Sequence, residues 1–223
     1  MVHSIILKWS SATLILLFLI NSCKDIRKNN NMYSANPRTN NPTVAFPKSI
    51  SDSLSILPED YSITKESFSQ QTGLILSKDI VRQLILSDCN IVFPPGIHID
   101  AYDLEHIFLP RIELSVIGKW IVSDAFETYM IMYTEGLPND RIYYLVTVKD
   151  NSIIATCIMA IDYRDEEIAS CNYSSEIAYI LCQRLSSNSF IVNKFLNDDN
   201  IKESFRFKIT DEGRIKLIKH HVQ

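Results

Sequence analysis

Apolar and polar residues alternate with a period of two through the C-terminal half of the chain, which is the pattern of β-strands. Ile112, Leu114 and Val116 alternate with polar residues, and Ile142, Tyr144, Val146 and Val148 are spaced so that they share one face of a strand. Between them, residues 126–134 are almost all of types that favour strands. The pattern therefore predicts a succession of strands after about residue 110.

Each apolar run ends in residues that are typical of turns. These turn segments are Gly136–Asp140, Lys149–Ser152, Asp162–Glu167, Ser186–Ser189, Asn197–Asn200 and Asp211–Gly213. Their spacing, roughly ten residues, predicts an antiparallel meander, a sandwich or a barrel-like sheet. The sequence leaves open whether this sheet closes into a barrel or remains open.

One short helix is predicted ahead of the strands. Ser77 can cap its N-terminus, and residues 78–86 have apolar side chains at helical spacing. Pro94, Pro95 and Gly96 then favour a loop. We therefore predict a mainly β domain from about residue 61 to residue 223, with a single helix near its N-terminal end.

The segment before this domain has a different composition. Residues 24–60 are rich in Asn, Pro and Ser and show no sustained apolar period. Such a segment cannot bury enough apolar surface to offset the entropy lost on ordering. We expect residues 23–60 to form a flexible tether.

The first residues have the character of an export signal. Lys8 is the only charged residue before an apolar core, and that core, residues 12–20, is too short to span a bilayer. The sequence Ile20-Asn21-Ser22-Cys23 that ends it resembles the lipobox of bacterial lipoproteins. The resemblance covers residues 1–23 and implies cleavage before Cys23, with lipid attached to Cys23 and to the new amino terminus. The alternative is an uncleaved signal anchor.

Lys24 follows this cysteine, whereas an Asp at that position commonly retains lipoproteins of this family in the inner membrane. The resemblance therefore implies attachment to the outer membrane through the lipid on Cys23. It leaves open whether the domain faces the periplasm or the exterior.

Charge narrows the choice of partners. The chain has a formal net charge of −4, and its sequence contains no run of lysines and arginines. Nucleic-acid binders ordinarily carry a basic patch or stripe. We therefore expect no nucleic-acid partner.

Four cysteines remain besides the predicted lipid attachment site, and an exported protein can form disulfides. They are Cys89, Cys157, Cys171 and Cys182. Four cysteines allow three complete pairings, which sequence does not distinguish. The alternative is that they are small buried residues, since Cys157 lies within an apolar run. Their spacing does not match a zinc motif, and we predict no metal site.

Candidate chemistry concentrates in one short polar cluster. It contains two imidazoles and three carboxylates, at His98, Asp100, Asp103, Glu105 and His106. Such groups can bind a divalent ion or act as general acid and base. The competing interpretation is a solvated loop, because the spacing matches no metal motif. No glycine-rich phosphate loop or serine-hydrolase elbow occurs, so we predict neither a cofactor nor catalytic residues.

Aromatic residues recur along the predicted strands. Trp120, Tyr129, Tyr133, Tyr143, Tyr144 and Tyr179 all have polar neighbours in the sequence. On an exposed face they could stack against sugars or peptides, whereas in a core they would bury their rings and keep a hydroxyl partner.

These observations favour a lipid-anchored, non-catalytic binding or accessory module of the cell envelope, whose partner is an envelope protein or a glycan. One alternative is a hydrolase acting on envelope or external glycans, with the polar cluster as its site. Another is an inhibitor or immunity protein that covers the active site of a second protein.

Overall fold

The computed structural model describes residues 52–86, 102, 106–107, 109–135, 141–150, 152–162 and 177–223. In this part of the chain there is one helix, α1 (Lys78–Leu86). The nine strands are β1 (Leu74–Ile75), β2 (Glu113–Lys119), β3 (Glu127–Thr134), β4 (Ile142–Lys149), β5 (Ser152–Asp162), β6 (Ile177–Ser186), β7 (Ser189–Leu196), β8 (Ile201–Ile209) and β9 (Ile215–Val222). The predicted fold class is confirmed.

The nine strands form one antiparallel sheet in which each strand pairs with its neighbours in the sequence. The sheet is a meander, and it does not close into a barrel. Turn residues supply the reversals. Asp150 and Asp199 have positive φ angles of 50° and 64°, and Gly213 has a φ angle of 80°. Asp is one of the few residue types with a side chain that tolerates this left-handed region.

The middle of the sheet is covered on both faces. All residues of β4 except Lys149 are buried, and so are all residues of β3 except Glu127. These two strands therefore have no solvent face, in keeping with their nearly continuous run of strand-favouring residues.

The pairing between β5 and β6 is short. Only two residue pairs join these strands, Ile161 with Ile180 and Asp162 with Tyr179. After Ile180, β6 continues without β5 beside it, so the backbone groups on this edge of β6 can pair with another segment.

The segment of residues 55–63, which we call the N-terminal strap, occupies that edge. Its first part pairs with the end of β2, where the amide of Leu57 donates to Lys119 O at 2.7 Å. Its last part pairs with β6, where the amide of Ile63 donates to Cys182 O at 3.0 Å. The strap therefore connects two strands that are not neighbours in the sheet. The predicted tether of residues 23–60 overlaps the strap, and its residues before 52 lie outside the described part.

Arg184 fastens the strap to the sheet. Arg184 is only 5% exposed. Its guanidinium group donates to the carbonyl oxygens of Leu57 at 3.1 Å, Pro58 at 2.9 Å and Ile121 at 3.1 Å. Its carbon Cζ also lies 4.7 Å from the centre of the Trp120 ring. Burial lowers the pKa of Arg184, but an arginine remains charged at neutral pH.

A row of aromatic rings continues the core beneath Arg184. Trp120 meets Phe190 edge to face at 5.7 Å between ring centres, and Phe190 stacks on Phe207 at 5.2 Å. The indole of Trp120 donates to Ser187 O at 2.8 Å, which satisfies its one polar atom. The strap, β2, β7 and β8 thereby share one continuous core.

Candidate functional site

Of the predicted polar cluster, the structure describes His106 alone. Its ring stacks on Tyr102 with 4.4 Å between ring centres, and its Nδ1 lies 3.1 Å from Tyr102 O. Both side chains are exposed. The other four members, His98, Asp100, Asp103 and Glu105, lie outside the described residues.

Two of the four predicted disulfide candidates are described, and both are buried free thiols. These are Cys157 on β5 and Cys182 on β6. Burial raises the pKa of both thiols, that of Cys182 to about 12. Cys89 and Cys171, like the predicted lipid attachment site Cys23, lie outside the described part of the chain.

The six strand aromatics lie in the core and do not form an exposed stacking surface. All of them are at most 5% exposed. Several keep a hydroxyl partner: Tyr129 donates to Glu127 at 2.6 Å, Tyr143 donates to Phe68 O at 2.5 Å, and Tyr133 donates to Glu135. These aromatics therefore pack in the core, as expected from the interpretation in which their rings are buried and a hydroxyl keeps a partner.

Within the described residues, no group of three or more His, Cys, Asp or Glu side chains could hold a metal ion. In the same part of the chain, no helix combines the length and the apolar character needed to cross a membrane.

β9, at one edge of the sheet, is the longest strand that is almost entirely exposed. Seven of its eight residues are exposed, and the exception is Ile215. Its inner edge pairs with β8, and its outer edge pairs with no other described strand. A strand with a free edge presents unpaired backbone N–H and C=O groups to which another strand can be added.

Register assigns the side chains of β9 to two faces. Leu217 is opposite the buried Phe207, and His220 is opposite the buried Phe205, so these residues lie on the core side. Leu217 is nevertheless 46% exposed, because the sheet extends here beyond the core. The ring of His220 stacks on Phe205 at 4.4 Å, and its Nε2 lies 3.1 Å from Glu203.

The opposite, outer face of β8 and β9 is basic. Lys208 is directly opposite Lys216, and Arg206 is directly opposite Lys219. All four side chains are exposed. We call these four residues the basic face. His221 continues the same face, opposite Ser204.

Sequence patterns alone did not reveal the basic face, because its members are never adjacent in the chain. Arg206 and Lys208 are separated by a buried Phe207, and Lys216 and Lys219 are separated by Leu217 and a bulged Ile218. A search for charged residues at alternate positions of two neighbouring predicted strands could have found it, since such residues share a face.

Comparison of the chain with protein-family models, with curated proteins and with solved structures gives no match.

Proposed function

We propose that this protein is a non-catalytic binding module of the cell envelope, held to the membrane by lipid on Cys23, and that it binds a partner at the free edge of β9. The observation that carries the proposal is the exposure of β9 from Lys216 to Val222. Strand addition to an open sheet edge is a common mode of peptide recognition, because the backbone supplies affinity and alternate side chains supply specificity.

Apolar side chains on β9 support binding. Ile218 and Val222 are 54% and 59% exposed, although both belong to a regular strand. Exposed apolar side chains beside a free backbone edge are characteristic of a surface that is covered by a partner. The same features in a protein without such a partner would favour aggregation.

The anchor has separate support. The resemblance of Ile20 to Cys23 to a lipobox supports lipid attachment, and the strap begins only at Ser55. The intervening residues, about 30 in number, would span roughly 30 Å as a flexible coil. This length would let the domain reach partners near the membrane surface.

The binding edge is tested by site-specific photo-cross-linking in the native host. A photoreactive amino acid replaces Ile218 on β9 or, as a matched control, Ile121, which is 50% exposed and lies outside β9. We expect a discrete adduct with a partner from position 218 and none from position 121. Equal labelling at both positions, or none at either, would contradict binding at β9.

The anchor is tested by substitution of the predicted lipidated residue. Cys23→Ser should prevent lipid incorporation and leave the unprocessed chain, as followed by metabolic labelling with a fatty acid and by mass. A Cys171→Ser variant serves as the control. A Cys23→Ser protein that is still processed and labelled would refute the lipid anchor.

A further inference from the structure

The basic face contains cross-strand pairs of like charge, which is an unfavourable arrangement. Lys208 with Lys216 and Arg206 with Lys219 are directly opposite one another on exposed strands. Opposite positions of an antiparallel pair bring side chains within contact distance, so like charges there oppose strand pairing. Fold stability therefore does not account for these residues.

Counter-charges are scarce nearby. Among the described residues, no carboxylate forms an ion pair with Arg206, Lys208, Lys216 or Lys219. The turn residue Glu212 has a pKa that is lowered mainly by a hydrogen bond with Thr210 and to a smaller extent by the charges of Lys216 and Arg214. Glu203, on the core side of β8, is already engaged by Lys194 at 3.6 Å and by His220 at 3.1 Å.

Protection of a free edge explains only part of the basic face. Lysines on an edge strand discourage indiscriminate pairing, which accounts for Lys216 and Lys219 on β9. Arg206 and Lys208 lie on β8, which pairs with strands on both sides and has no free edge. Their positions beside the β9 lysines extend the positive charge toward the interior of the sheet.

A strand added to β9 would place its own side chains on the same two faces. Residues on its outer face would lie beside Lys216 and Lys219, and residues on its inner face would lie beside Leu217 and Val222. Because side chains alternate along a strand, one face of the added segment would meet cations and the other would meet exposed apolar groups.

Resting on the proposed function, we infer that the partner segment of β9 is an extended peptide in which acidic and apolar residues alternate. Acidic side chains of this segment pair with the basic face, and its apolar side chains cover Leu217 and Val222. An anionic membrane surface would satisfy the charges of the basic face, but it would leave the free backbone edge and these apolar side chains without partners. The observations therefore favour a peptide strand.

The test measures binding of synthetic eight-residue probes to the mature, lipid-modified protein in a neutral detergent by fluorescence anisotropy. The first probe alternates Glu and Val, and the second alternates Lys and Val. The third keeps the glutamates but has Pro in place of Val, so that it lacks half of its backbone N–H donors. We expect the Glu-Val probe to bind at least about tenfold more tightly than the other two.

Two variants with equal changes in net charge locate the binding surface. Lys216→Glu with Lys219→Glu reverses the charge on β9, and Arg111→Glu with Lys149→Glu reverses two exposed cations that belong to neither β8 nor β9. We expect the β9 variant to weaken Glu-Val binding by about tenfold or more and the control variant to change it less than about twofold. Circular dichroism of each variant checks that the sheet is retained.

Three outcomes would overturn the inference. Equal binding of the Pro-containing probe would show that charge alone attracts the peptide. Equal loss in the two variants would place the binding elsewhere. The third outcome is that the protein binds no probe, while anionic vesicles protect Lys216 and Lys219 from acetylation and neutral vesicles do not. The basic face would then contact a membrane instead of a peptide.

Failure of this inference and failure of the proposed function give different results. If position 218 yields a partner adduct in the native host and no acidic probe binds, β9 is a binding edge with another specificity. If the acidic probe binds and position 218 yields no adduct, the chemistry of the edge is as inferred, but the proposed function fails.

Discussion

Replacement of Arg184 by methionine should destabilise the fold by about 3–5 kcal/mol, because three backbone carbonyl oxygens lose hydrogen bonds from a charged donor. Methionine nearly preserves the buried volume, so the loss arises mainly from polar groups. The variant leaves the carbonyl oxygens of Leu57, Pro58 and Ile121 without the donor that they share. Each hydrogen bond from a charged donor contributes roughly 1.5–3 kcal/mol, and the desolvation of the guanidinium offsets part of their sum.

The assay uses a natural fluorescent reporter. Trp120 is in contact with Arg184, and the only other tryptophan, Trp9, precedes the predicted cleavage site. Urea unfolding of the mature protein in mild detergent, followed by tryptophan fluorescence, therefore reports directly on this part of the core.

Two further variants separate charge from geometry. Arg184→Lys keeps the charge but cannot direct several N–H groups at three carbonyls, so we expect an intermediate loss of about 1–3 kcal/mol. Arg111→Met, at an exposed position, should change stability by less than about 0.5 kcal/mol. A loss below about 1 kcal/mol for Arg184→Met would refute the role assigned to Arg184 in fastening the strap.

Four other predictions concern the core and its turns. Thr147→Val should lower the free energy of unfolding by about 1–3 kcal/mol, because the buried Thr147 hydroxyl donates to Gly213 O at 2.7 Å. Thr128 lies directly opposite Thr147 and has a buried hydroxyl without a partner, so Thr128→Val should be neutral or stabilising. Equal effects of the two variants in urea unfolding would contradict this reasoning. Gly213→Ala should cost about 1–2 kcal/mol in the same assay, because φ is 80° there, and an unchanged midpoint would argue against that turn geometry. The buried thiols of Cys157 and Cys182 should resist alkylation in the folded protein, as checked by mass spectrometry. The pKa of Cys182 is raised from 9.0 to about 12, so between these pH values the unfolded chain loses the thiol proton while the folded protein keeps it. The free energy of unfolding should therefore be unaffected by this thiol below pH 9 and should fall as the pH rises toward 12. A urea midpoint that does not change over this range would contradict the shift.

Most of the strands could be predicted because each depends on local patterns. Alternation marks β2, and the turn residues around Asp150, Asp199 and Gly213 mark the reversals of the meander. Ser77 likewise marks the start of α1, where its carbonyl accepts from the amide of Val81 at 3.0 Å. These signals act over a few residues and do not require knowledge of the tertiary structure.

The strap and the basic face depend on distant residues, and sequence patterns did not reveal either. The strap contains Pro58 and has no apolar period, so its composition resembles that of a tether. What orders it is Arg184, which lies 127 residues beyond Leu57. The basic face similarly depends on the register of β8 against β9, which includes a bulge at Ile218.

The meander and the strap together have a consequence for how the protein folds. Every strand pairing joins neighbours in the sequence, and such local contacts form early and rapidly. The strap is different, because it needs β2 and β6 to be in place before Leu57 and Ile63 can pair with them. The strap should thus be among the last segments to dock during folding. With the lipid anchor proposed above, the strap would then be the last connection to form between the anchored end of the chain and the assembled sheet.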